Sequence, residues 1–417
     1  MRFLRKTVFL LPVAFVLMAE LGCGDYYRPV ANPVVSPGGQ PQLTHWAFVL
    51  NTNPNGDGSV SEIDVSGDTV LSVNSMGVAS SAEAFPTNSL SLYVANAGDD
   101  TVMQFLPTLA GAITTISLLP GSHPVTLSSA NNGFMYVLNS GFNSACPSTG
   151  SISTISATTL SVSNTVCVGH NPIAMVQAPT NSFIYIINQG DNSITVFDPT
   201  GSNVVGTITT GLGLGLNPVS IAVNAQGWVF VATQGDHSSP GTLDIIPAGY
   251  SYIAGTAALG VQPTFLYVDP NRNRLYVTNS GDNTVSVFDA SNINPSGSPP
   301  IPLLGTVKVG TQPASVTALQ DGSNFYVANA GSNDVTVVSQ SSFSPLTTVP
   351  LPSGANPVWI ASDPSAQKVY VADQGTSQTT IIQTSNNTIT QNILSPTQVS
   401  GCTTSCALQT PVMILTQ

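Results

Sequence analysis

An all-β fold of four-stranded antiparallel units closed into a ring is predicted by three observations. First, an apolar start followed by a tight Asn/Gly/Asp turn recurs along the chain. The starts are Phe48, Tyr93, Tyr136, Tyr185, Phe230, Tyr276, Tyr326 and Tyr370, each 43 to 50 residues after the last. Second, each unit carries four short runs rich in Val, Ile, Tyr, Phe and Thr, separated by turn residues, the composition of β-strands. Third, the second run of each unit is apolar at successive positions, as in Ile184-Tyr-Ile-Ile187. Such a run is buried on both faces of its sheet. Units of this period whose sheets stack face to face describe a β-propeller.

The unit beginning at Pro263 shows the elements in order. Strand a is Thr264–Val268, strand b is Leu275–Thr278, strand c is Thr284–Phe288 and strand d is Leu303–Val309. Between b and c lies Asn279-Ser-Gly-Asp-Asn283. Asn and Gly tolerate positive φ there, and an Asx side chain can bond the following N–H groups. Prolines announce strand a at Pro124, Pro172, Pro218, Pro263, Pro313 and Pro357, with a degenerate copy near Val78–Phe85. The first unit opens directly on strand b at Trp46, and the last proline, Pro411, precedes one final strand. That strand is expected to complete the first blade and close the ring, leaving no open edge. The count is eight blades, with seven as the alternative if the Val78–Phe85 copy is irregular.

Charged residues make up 7% of the chain, hydrophobic residues 42%, and the net charge is −12. That apolar content can fill a core. So few cations on an acidic chain cannot neutralise phosphates, so nucleic-acid binding is not expected.

Met1–Lys6 is basic and residues 7–19 are apolar, a run too short for a comfortable membrane span. Gly22 precedes Cys23. The segment resembles a bacterial lipoprotein signal, which implies cleavage after residue 22 and lipidation of Cys23. It departs from that pattern in having Glu20 three residues before the cysteine, where leucine is usual. Residues 23–44 carry Pro29, Pro33, Pro37 and Pro41 with Gly38-Gly39, the composition of an extended linker. The expected organisation is a signal peptide over 1–22, a lipidated cysteine and linker over 23–44, and the propeller over 45–417. The expected address is the bacterial cell envelope, with the membrane reached through the N-terminal lipid.

With Cys23 set aside, four cysteines remain in a chain expected to be exported, where disulfides form. Pairing by proximity gives Cys146 with Cys167 and Cys402 with Cys406. Zinc is the competing reading, although neither pair has Cys-x-x-Cys spacing.

Tyr276-Val-Thr-Asn-Ser-Gly-Asp-Asn-Thr-Val285 resembles the signature of the YVTN-repeat β-propellers, as do Tyr326–Val337 and Tyr185–Val196. Phe230-Val-Ala-Thr-Gln-Gly-Asp-His237 lacks the Asn, and Tyr136–Cys146 carries an insertion. The resemblance covers Trp46–Gln417. It implies an exported or surface protein, and related propellers include sugar lactonases.

No Ser/His/Asp set, paired glutamates or metal-ligand spacing stands out, so no catalytic residue, metal or cofactor is assigned. His123 and His170 fall in loops joining strand d to the next strand a. The turn acids, among them Asp191 and Asp282, fall on the same face, which is the candidate ligand face. Asp198, Asp244 and Asp289 are expected to start turns on the opposite face, and Trp46, Trp228 and Trp359 to pack in blade cores. The functional expectation is a monomeric, non-catalytic envelope scaffold whose partner is an envelope protein or a glycan. The alternatives are a lactonase-like hydrolase and a carbohydrate-binding propeller.

Overall fold

The computed structural model describes residues 46–53, 56–78, 84–86, 92–105, 114–129, 133–179, 183–209, 215–396 and 409–416. Cys23, Cys402, Cys406 and the segments assigned to signal and linker lie outside the described residues.

Eight four-stranded antiparallel sheets form the chain. Blade 1 runs outward from the axis as β32 (Thr410–Thr416), β1 (Trp46–Thr52), β2 (Asp57–Asp64) and β3 (Thr69–Val78). Blade 2 is β4 (Ala84–Pro86), β5 (Leu92–Asn96), β6 (Thr101–Phe105) and β7 (Thr114–Ser117). Blade 3 is β8 (Pro124–Ser129), β9 (Phe134–Asn139), β10 (Ser151–Ser156) and β11 (Ser161–Cys167). Blade 4 is β12 (Pro172–Gln177), β13 (Ile184–Asn188), β14 (Ser193–Asp198) and β15 (Asn203–Thr209). Blade 5 is β16 (Pro218–Val223), β17 (Val229–Thr233), β18 (Pro240–Ile246) and β19 (Gly255–Val261). Blade 6 is β20 (Pro263–Asp269), β21 (Arg274–Asn279), β22 (Thr284–Asp289) and β23 (Leu303–Lys308). Blade 7 is β24 (Pro313–Ala318), β25 (Asn324–Asn329), β26 (Asp334–Ser339) and β27 (Pro345–Pro350). Blade 8 is β28 (Pro357–Ser362), β29 (Lys368–Asp373), β30 (Gln378–Gln383) and β31 (Thr388–Leu394).

The second strand of each blade is buried on both faces; β13 and β17 have no exposed residue. Tyr136, Tyr185, Tyr276, Tyr326 and Tyr370 are fully buried there. Three of their hydroxyls reach the outer turn of the next blade. Tyr185 donates to the Tyr250 carbonyl at 3.1 Å, Tyr276 to Gln340 Oε1 at 3.4 Å and Tyr326 to Asn387 Oδ1 at 2.6 Å. Each such bond satisfies a hydroxyl that burial would otherwise penalise. The outermost strands alternate exposed and half-buried positions, as in β15, and their Ser, Thr and Asn cover the sheet edge.

The ring closes through the last strand. β32 pairs antiparallel with β1, Phe48 facing Leu415. Across the junction with blade 8, the Trp359 indole N–H donates to the Ile414 carbonyl at 3.0 Å and Thr416 Oγ1 to the Ser362 carbonyl at 2.6 Å. Lys368 Nζ lies 2.6 Å from Asp68 Oδ1 and 2.6 Å from the Val65 carbonyl. In the region expected to hold a degenerate copy, Val78 ends β3, and Ala84–Pro86 is the described part of the inner strand of blade 2.

Candidate functional site: loop face and central channel

The loops joining the second to the third strand, and those joining the fourth strand to the next blade, meet on one face. Asp191 Oδ2 accepts the His170 backbone N–H at 2.6 Å, and Oδ1 meets His170 Nδ1 at 2.7 Å. Asp282 Oδ2 accepts the Val261 N–H at 2.6 Å, and Asp99 Oδ2 accepts that of Val78 at 2.6 Å. Each of these carboxylates ties its turn to the chain just before its own blade, which for Asp99 and Asp282 is the end of the preceding blade's outer strand.

The following turn residue works in the other direction. Asn192 Oδ1 accepts the Asn217 N–H at 2.6 Å, Asn283 that of Gln312 at 2.8 Å, and Asn333 that of Asn356 at 2.8 Å. Asp100 does the same for His123 at 2.7 Å. Each reaches the residue before the next blade's first proline. That residue is left-handed in every case, with φ between 43° and 54° at His123, Asn217, Gln312 and Asn356. A left-handed non-glycine residue costs roughly 1 to 2 kcal/mol, and the bond from the preceding blade offsets it. The Gly-Asp-Asn turn is thus a two-way staple between neighbouring blades.

The left-handed position falls on the Asn and not, as its permissiveness suggests, on the Gly. Asn192 and Asn283 have φ of 48° and 56°. Gly281 is needed for space: a Cβ there would lie 2.9 Å from the Val261 carbonyl oxygen.

Behind each turn sits a buried polar centre. Asn279 Nδ2 donates to Thr284 Oγ1 at 3.1 Å and Ser286 Oγ at 3.0 Å, and its Oδ1 accepts the Gly260 N–H at 3.2 Å. Asn188 repeats the pattern with Ser193, Thr195 and Gly169. Blade 5 differs. Thr233 replaces the Asn and meets Thr242, while Asp244, fully buried, accepts the Gly215 N–H at 2.9 Å. Burial pushes the Asp244 carboxyl up to about 6, against the pull of Gly215 and Thr242. Asp244 therefore does not start a turn on the far face: the strand runs on to Ile246 and places it mid-sheet. Asp198 and Asp289 do cap turns, bonding the Thr200 and Ser291 N–H groups. In blade 8 Asp373 takes the Asn place. Thr380 Oγ1 donates to its Oδ2, its Oδ1 has no partner, and burial pushes it up to about 7.

Blade 3 carries Phe142 where blades 2, 4, 5 and 6 carry the turn acid, and Asn143 holds the longer loop by accepting the Ala145 and Cys146 N–H groups, each at 3.0 Å. A disulfide joins Cys146 to Cys167, with Cα atoms 5.4 Å apart. It ties this loop to the end of β11.

His123 and His170 differ by one position, since His123 directly precedes its proline and His170 stands two before. His123 Nδ1 lies 3.0 Å from the Ala97 carbonyl. The structure pairs His170 with Asp191, while His123 and Asp282 bond backbone groups elsewhere on the face. Among the described residues, no group of three or more His, Cys, Asp or Glu is arranged to hold a metal ion.

The central channel is the other concave site, missed by sequence reasoning because its wall is assembled from seven blades. It holds a cavity of about 310 Å³ lined by residues of β8, β12, β16, β20, β24, β28 and β32. Among the described residues, no lining residue is charged. Trp359, expected in a blade core, lies on this wall, its ring 5.4 Å from that of Phe265 in an edge contact.

These blades define a β-propeller, and comparisons with known proteins agree. A family model described as Lactonase, 7-bladed beta-propeller matches residues 251–388, from the outer part of blade 5 into blade 8; this chain has eight blades. The solved structure of dihydro-heme d1 dehydrogenase NirN in complex with DHE is similar, with a TM-score of 0.65 at 10% identity, over 88% of this chain and 77% of that one. AztD from Citrobacter koseri gives 0.58 at 14%, over 89% and 98%. Kuenenia stuttgartiensis hydrazine synthase gives 0.52 at 20%, over 70% and 94%. At these identities the likeness is one of fold. No curated protein matches the chain.

Proposed function

We propose that this chain is a non-catalytic propeller of the bacterial cell envelope, tethered through a lipid on Cys23, whose loop face binds an envelope protein or a glycan. One observation carries the reading. The turn acids and amides of that face are taken up as staples on backbone N–H groups of their own and the next blade. A carboxylate holding a loop in place is poorly placed to serve as a general base, which must reach a substrate proton.

Lactone hydrolysis is the second reading, favoured by the family-model match over residues 251–388. A panel of sugar and aliphatic lactones separates the two. The scaffold reading expects no hydrolysis above buffer, and enzyme-dependent turnover would overturn it. The tether is tested by fractionation: Cys23→Ser is expected to move the protein from the membrane to the soluble fraction. An unmoved variant removes the tether from the proposal.

A further inference from the structure

The inner strands place equivalent residues at one level of the channel, because each faces the corresponding residue of its second strand. Thr126 faces Leu138, Ala174 faces Ile187 and Ser220 faces Ala232. On the other side of the ring Phe265 faces Thr278, Trp359 faces Ala372 and Met413 faces Leu50. Blades 3 to 5 thus contribute small side chains, and blades 6, 8 and 1 contribute large ones. The cavity of about 310 Å³ is lined by all six, a size within the usual range of small-molecule sites.

Its large side is a built surface. Phe265 and Trp359 belong to blades separated by blade 7, yet their rings touch at 5.4 Å. Ser315 of blade 7, at the same level, is 1% exposed, and its hydroxyl has no partner. The two rings therefore close over it and make one aromatic wall three blades wide. The indole is fixed twice, by the Phe265 edge and by its N–H bond to the Ile414 carbonyl. A side chain held in this way loses little entropy on binding.

We propose that the central channel is a binding site for an uncharged, flat, apolar small molecule, which lies against Trp359 and Phe265 with Ala174 and Ser220 opposite. The described lining sets the class: it offers apolar and aromatic side chains and hydroxyls and no counter-charge for an ion, which would be desolvated on entry. A flat apolar ligand gains from leaving water and from offset or edge contact with the aromatic wall. The proposal adds a site to the loop face suggested above and does not depend on it.

The test uses the full chain carrying Cys23→Ser, so that no acyl chain competes for the probe, and the uncharged dye N-phenyl-1-naphthylamine. One dye per chain is expected to bind saturably, with brightened dye emission and quenched Trp359 emission; Trp359→Phe removes that share of the quenching. Ala174→Phe fills the small side and is expected to weaken binding at least tenfold with the melting temperature held. Should Ala174→Phe lower the melting temperature by more than a few degrees, Ile173→Phe on the same wall is read instead. No saturable binding by the unfilled chain, or dye affinity unchanged in the filled one, would overturn the proposal. Lactone turnover would overturn the scaffold reading and leave the dye result standing.

Discussion

Blades 6 and 8 share a four-stranded plan and differ in the group at the centre behind the turn. In blade 6 the centre behind the turn is Asn279, which donates twice and accepts the Gly260 N–H. In blade 8 it is Asp373, a carboxyl that cannot donate when ionised and keeps one oxygen unpaired; nearby Gln378 Nε2 is buried and also unpaired. Blade 5 shows a compensated version. There the acid has moved across to the third strand as Asp244 and accepts the loop N–H of Gly215, the group that Asn279 satisfies in blade 6. The carboxyl with that N–H is pushed up to about 6, and the one without it to about 7. The fold thus tolerates an acid at its polar centre, raised by burial in both blades, and in blade 5 that acid also satisfies the loop N–H.

Four measurements sharpen or break this comparison. The largest effect is expected where a covalent link stands in place of the turn acid. Cys146→Ser should lower stability by about 3 kcal/mol in the chain-entropy view of a short loop. Urea unfolding under non-reducing conditions checks it, and an unchanged midpoint would mean that Asn143 alone holds the loop. Next, Asn279→Ala strands several buried partners and should cost about 2 kcal/mol. Thr233→Ala should cost about half as much, because Asp244 already serves the loop N–H. Equal losses would break the contrast between blades 5 and 6.

Asp373→Asn restores the amide found at this place in every other blade but the fifth. Both raised carboxyls bind protons more tightly in the folded chain than in the unfolded one, whose value is about 4. Their contribution to stability is therefore present below about pH 4. It is lost as pH rises, through about 6 for Asp244 and about 7 for Asp373. Asp373→Asn should stabilise the protein by about 1 to 2 kcal/mol at pH 8 and give no gain at pH 4. Melting curves at the two values decide, and a pH-independent effect would place the cost in packing. The smallest change is expected for Asp191→Ala. That carboxylate is about a third exposed, and losing its loop bond should cost about 0.5 to 1 kcal/mol.

Much of the blade was legible in the chain. Tyr276, Asn279 and Pro263 mark the second strand, the turn and the inner strand because each answers a local demand: burial on two faces, a polar turn, and a strand start that needs no N–H donor. Asp244 was not legible. Asp198 and Asp289 end their strands, whereas Asp244 is followed by Ile245 and Ile246, and the pairing of Thr233 with Thr242 places it mid-sheet. The candidate face was legible as a face and not as a site. The sequence places His123, His170, Asp191 and Asp282 in loops on one side, but each carboxylate finds its partner in a backbone N–H some twenty residues away.

By itself, then, the sequence determined the unit and the strand that closes the ring, since both rest on periodicity. It put the count at eight with seven left open, and the pairing of Ala84–Pro86 with the second strand of blade 2 decided for eight. Tertiary structure alone decided that the turn Asp holds its own blade while the next Asn holds its neighbour. It also decided that Trp359 meets Phe265 across an intervening blade to wall the central channel. Those contacts join residues of different blades, and a chain-local pattern carries no information about which blades meet until closure of the ring fixes their angle and spacing.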